Sequence, residues 1–98
     1  MKKPYYQARV LATFGFYRAA YCLARITLVR ALQAHRPTKP MQASRWMLSD
    51  GVISQSEFNV IQFAYGECCG AAHGKRLKEC RSRFSAVVRA IRIVKSAK

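Results

Sequence analysis

The sequence predicts an all-α fold: a small helical domain with a long N-terminal helix, a short central helix-turn-helix and a basic C-terminal helix. Three observations carry that expectation. Apolar residues recur at three- and four-residue intervals over residues 4–35 and again over 77–95. Ser54-Gln55-Ser56-Glu57 is a capping box, with a serine that caps and a glutamate that reaches back. No stretch reads as a strand, and neither an internal repeat nor a low-complexity tract is present. At 98 residues the chain has room for one domain, 1–98, and 51% hydrophobic residues is too many for a disordered tail.

The first predicted helix covers about residues 4–35. Pro4 suits its first position, where the missing N–H costs nothing. Leu11, Phe14, Cys22, Val29 and Leu32 form one apolar stripe, with Tyr17, Tyr21 and Leu28 on a neighbouring face. Gly15 is the weak point, where the helix bends or splits. Unbroken, it would reach roughly 45 Å at about 1.5 Å per residue, long for so small a domain. Pro37 and Pro40 then interrupt helical geometry twice, so residues 35–40 read as an extended linker. A short helix over about 41–48 ends at Ser49-Asp50-Gly51, where glycine supplies the stop. The capping box opens a helix over about 55–68 carrying Phe58, Val60, Ile61, Phe63, Ala64 and Tyr65. Gly66, Gly70 and Gly74 are expected to fray it or end it between Glu67 and Gly74. A last helix over about 77–95 turns Phe84, Val87, Val88, Ile91 and Val94 inward. It leaves Lys78, Arg81, Arg89, Arg92 and Lys95 mainly on the other side.

Charge narrows the function. Eighteen Lys and Arg face four acids, a net charge of +14. Residues 1–36 hold seven basic residues and no acid, residues 75–98 nine basic and one acidic, and the middle is close to neutral. Such a chain repels its own copies and attracts polyanions or acidic protein surfaces. Lys2 and Lys3 resemble the start of a secretory signal, but Arg18 and Arg25 interrupt the apolar run that should follow. The longest charge-free run there is 10–17, far short of the roughly 20 residues a membrane span needs. The expectation is a soluble, cytoplasmic protein with no membrane partner and with Cys22, Cys68, Cys69 and Cys80 as reduced thiols.

The chemical motifs are weak. Asp50 to Glu57 resembles the second half of a calcium loop, but Trp46 and Leu48 stand where the first carboxylate ligands belong. Cys68, Cys69, His73 and Cys80 are enough groups for zinc. Cys69 and His73 lie one helical turn apart, yet no C-x-x-C pair is present. Buried thiols and a solvated histidine are the better reading, with no metal and no cofactor. A Cys69–His73 nucleophile pair would lack an orienting third residue, and no phosphate-cradling loop accompanies it, so no enzyme is expected. Residues 44–63 outline a DNA-binding helix-turn-helix, but residues 55–65 hold no Lys or Arg to face phosphates. As a membrane-surface helix, residues 5–34 have too wide an apolar face and too thin a cationic one. Five Tyr, five Phe, one Trp and eleven Arg are instead the residue types of protein interfaces, and arginine favours paired, partly desolvated contacts. Arg9, Tyr17, Arg18, Tyr21, Arg25, Arg76 and Arg81 are the candidate partner-binding residues.

Two stretches, PYYQARVLATFGFYRAAYCLARITLVRALQAH and EFNVIQFAYGECCGAAHGKRLKECRSRF, resemble the anti-RecBCD accessory proteins of Salmonella-type lambdoid phages. That resemblance, one of length, charge and wording across the whole chain, implies a non-catalytic protein acting in the cytoplasm of the bacterial host. It would bind the host RecBCD helicase–nuclease, with RecC as the expected subunit, sparing phage DNA ends and assisting recombination. It would act from outside the DNA channels, because a channel blocker should be an acidic DNA mimic, or touch DNA only peripherally. A host prolyl isomerase is a further expected partner at Pro37 or Pro40. The alternative is a small basic DNA- or RNA-binding regulator.

A wide apolar face on a short, self-repelling chain predicts marginal stability without a partner. Circular dichroism of the free protein should show helix with a broad or low melting transition. A sharp transition above about 90 °C would refute this.

Overall fold

Gly15 decides the shape of the N-terminal third. A computed structural model describes residues 4–97 and shows two helices in the segment expected to form one. α1 (Pro4–Thr13) ends where Gly15 takes φ +83°, a left-handed conformation that costs other residues free energy. The Gly15 amide donates to the Ala12 carbonyl and the Phe16 amide to the Leu11 carbonyl, a Schellman stop. α2 (Tyr17–His35) then folds back along α1. An unbroken helix would have outrun the molecule's longest dimension, 38 Å. Lys2 and Lys3 lie outside the described residues.

The same stop recurs at Gly51 and Gly74, closing α3 (Pro40–Ser49) and α4 (Gln55–Ala72). The capping box forms at the start of α4: the Glu57 amide donates to Ser54 Oγ at 3.2 Å, and the Ser54 amide to Glu57 Oε1 at 2.8 Å. α4 runs past residue 68 and through Gly66 and Gly70. Phe58, Ile61, Ala64, Cys68 and Ala71 form a continuous buried stripe, and packing outweighs the roughly 1 kcal/mol that each glycine costs.

α5 (Cys80–Ser96) starts three residues later than expected. Residues 75–78 are non-helical, and Glu79 takes φ 48° before the first turn. Its side chain reaches Arg83 Nε at 3.7 Å, and its carbonyl accepts from the Arg83 amide. Phe84, Val87, Ala90, Ile91 and Val94 face the core; Val88 is only half-buried.

The fold is all-α, five helices with no strand among the described residues. α2 is its axis and packs against each of the other four helices. Its buried stripe is Ala20, Tyr21, Ala24, Thr27, Leu28 and Leu32. Both stripes read from sequence reach the core, Tyr21 and Leu28 from one and Leu32 from the other. Phe14, which belongs to the other, is 72% exposed beside the Gly15 turn. Tyr17 and Tyr21 both meet the Phe84 ring edge-on, with centroids 6.2 and 5.3 Å away, which joins α2 to α5.

Two stability outcomes follow from this packing. Ser54→Ala should cost about 1 kcal/mol, the usual value of an N-cap, and Leu28→Ala about 2–5 kcal/mol through its cavity; urea midpoints compare them. Burial, and next the neighbouring Cys69, push the Cys68 thiol up from the ordinary 9.0 to about 12. Burial likewise raises the Tyr21 hydroxyl. Above pH 9 the unfolded chain sheds the Cys68 proton while the folded chain keeps it, so stability should fall as pH rises toward 12. Urea titrations under reducing conditions should show that decline, and Cys68→Ala should lessen it, leaving the part that Tyr21 contributes.

Candidate anion-docking groove

The four carboxylates of the chain are all engaged within the fold. Asp50 lies 3.7 Å from Arg36, which also stacks over Trp46 at 4.4 Å. Glu57 completes the α4 cap. Glu67 and Glu79 both pair with Arg83. No carboxylate side chain belongs to α1, α2 or the groove described below. Among the described residues, Arg81, Arg89 and Arg92 enter no ion pair.

Those three arginines share one face of α5 with Ser85 and Val88, at spacings of three and four residues. α1 brings Arg9 to the opposite wall. Together they line a groove of about 370 Å³ floored by Phe84, Ser85 and Val88. Four guanidinium groups around a partly apolar floor can hold carboxylates or phosphates through paired hydrogen bonds, and they can supply neither a nucleophile nor a base at neutral pH.

The structure sorts the residues singled out from sequence. Arg9 and Arg81 line the groove, and Arg76 is exposed in the α4–α5 connection, outside the groove lining. Tyr17 is half-buried against Phe84. Tyr21 is 1% exposed and belongs to the core, so it is withdrawn as a surface anchor in this conformation. Arg18 is held internally, donating to the Ala71 carbonyl at 2.7 Å and the Lys75 carbonyl at 2.9 Å, which ties α2 to the end of α4. Arg25 stands beside Cys69 and Tyr65, contacts that raise its pKa, Cys69 foremost. Its Nε is buried with no hydrogen-bond partner among the described residues. Sequence spacing sets Arg89 and Arg92 on the solvent side of the last helix without marking them as candidates. Their spacing from Arg81 is the signal, and it acquires meaning only when α1 brings Arg9 opposite.

The remaining motifs resolve into structural parts. Cys68 is buried, and Cys22, Cys69 and Cys80 are half-buried. Among the described residues no three His, Cys, Asp or Glu side chains come together as a metal site. α3 and α4 form the helix-turn-helix outline, but the exposed positions at the start of α4 are Gln55, Ser56, Asn59 and Gln62, without a cation. No described helix is long and apolar enough to cross a membrane.

Compared with known proteins, the chain matches no family model, no curated protein and no solved structure.

Proposed function

We propose that this chain is a non-enzymatic phage protein that binds and modulates the host RecBCD helicase–nuclease, protecting phage DNA ends and assisting recombination. The carrying observation is the groove of Arg9, Arg81, Arg89 and Arg92 in a chain whose own carboxylate side chains are engaged elsewhere. The resemblance of residues 4–35 and 57–84 to anti-RecBCD accessory proteins supplies the partner, with RecC as the subunit. Docking proceeds through arginine–carboxylate pairs on an acidic outer surface of the enzyme, which leaves its basic DNA channels open. Long-range attraction speeds the encounter, and desolvated contacts set the residence time. Action takes place in the bacterial cytoplasm. Of the two linker prolines, Pro37 is the one a host prolyl isomerase would reach: it is exposed, whereas Pro40 opens α3.

A second reading has one observation in its favour. The same four arginines suit phosphates as well as carboxylates, so a small DNA- or RNA-binding regulator would use this groove in place of α4.

The deciding measurement is a DNA-free titration against purified RecBCD near physiological salt. Binding is expected. Arg89→Ala with Arg92→Ala should weaken it roughly tenfold, about 1.4 kcal/mol, mainly by slowing association, and should reduce its salt dependence. No complex with RecBCD, together with sequence-selective binding to duplex or RNA and a steep salt slope, selects the second reading.

A further inference from the structure

α1 is a ridge with two unlike flanks. On one side, Tyr6, Gln7, Val10 and Leu11 of α1 meet Leu23 of α2 around an apolar groove of about 300 Å³. On the other, Arg9 faces the arginines of α5 across the cationic groove. Helical geometry orders the two flanks: at about 100° per residue, Arg9 lies about 60° from Tyr6, about 100° from Val10 and about 160° from Leu11, so Tyr6 and Val10 form the crest between Arg9 and Leu11. Phe14 and Phe16, 72% and 62% exposed, extend the apolar surface past the end of the ridge. Inward, α1 offers the fully buried Ala8, a small residue that lets it lie close on α2.

We infer that this ridge is the docking site for one acidic amphipathic helix of a partner protein. Its large apolar side chains enter the groove of Tyr6, Val10, Leu11 and Leu23, and its carboxylates face Arg9, Arg81, Arg89 and Arg92. Charge complementarity selects this occupant. The first acid in the chain is Asp50, so nothing on α1 or α2 repels a carboxylate. A second copy is excluded as the occupant, since each carries +14 and its four carboxylate side chains are already engaged. A lipid surface is disfavoured because the apolar groove is concave and its cations lie on one flank only, whereas interfacial helices carry them along both edges of the apolar face. Anchors spaced along one helical face set in a groove, with charge at the rim, are a recurring mode of recognition.

The inference rests on reading the chain as a protein-binding module, and its test separates the two. The full-length protein is titrated by fluorescence anisotropy with a labelled synthetic helix carrying Leu and Phe on one face and Glu along one edge of that face. A scrambled peptide of the same composition, polyglutamate and phosphatidylserine vesicles serve as comparisons. The amphipathic helix should bind at least tenfold more tightly than the scrambled peptide or polyglutamate. Val10→Asp, and separately Arg89→Glu with Arg92→Glu, should each weaken it about tenfold, with polyglutamate binding lost only in the arginine variant. Val10→Ala, which adds no charge to α1, gives a smaller loss and serves if Val10→Asp unfolds the helix by circular dichroism. Equal binding of the scrambled peptide, or binding to vesicles tighter than to the helix, overturns the inference. So does an unchanged affinity for RecBCD in a folded Val10→Asp protein, an outcome that leaves the RecBCD reading standing. Peptide binding with both variant effects, but no RecBCD complex, supports the inference and removes only that partner.

Discussion

Every other helix depends on α2 having somewhere to put its apolar stripe. Tyr21, Ala24, Leu28 and Leu32 are all essentially inaccessible, and full burial of each leucine is worth about 1.5–3 kcal/mol. No single neighbour covers that stripe, so α1, α3, α4 and α5 each take a part of it. The Tyr21–Phe84 contact joins α2 to α5 at one end of the α5 stripe. With Phe84, Val87, Ile91 and Val94 turned to the core, Arg81, Arg89 and Arg92 have only the solvent side left. The cationic groove is thus a consequence of core packing on the opposite face of the same helix.

The separation of charge follows a similar logic. Arg83 collects Glu67 from α4 and Glu79 from the start of α5, closing the α4–α5 junction. Arg18 spans the same corner by donating to the Ala71 carbonyl of α4 and to the Lys75 carbonyl beyond its end, and Arg36 rests on Trp46 beside Asp50. Such partly exposed pairs contribute modestly to stability. Their larger effect is to occupy the scarce carboxylates, so that none lines the groove of Arg9, Arg81, Arg89 and Arg92.

What the sequence by itself determined is what depends on near neighbours in the chain. The all-α class, the capping box at Ser54–Glu57, the stop at Gly51 and the inward stripe of α5 all rest on interactions within a few residues, where spacing and residue type suffice. Tertiary structure decided whatever depended on competition between distant groups. Gly15 was visible as a weak point, but only the burial gained by folding α2 back along α1 makes it a full turn. Gly66 and Gly70 weakened the far end of α4, and within the expected window the buried run from Phe58 to Ala71 carries the helix to Ala72. Tyr21 and Arg18 carried interface chemistry as residue types; the core and the carbonyls of Ala71 and Lys75 claimed them. Arg9 lies 72 positions before Arg81. No local rule joins residues so far apart, and only the packing of α1 and α5 around α2 makes them two walls of one groove.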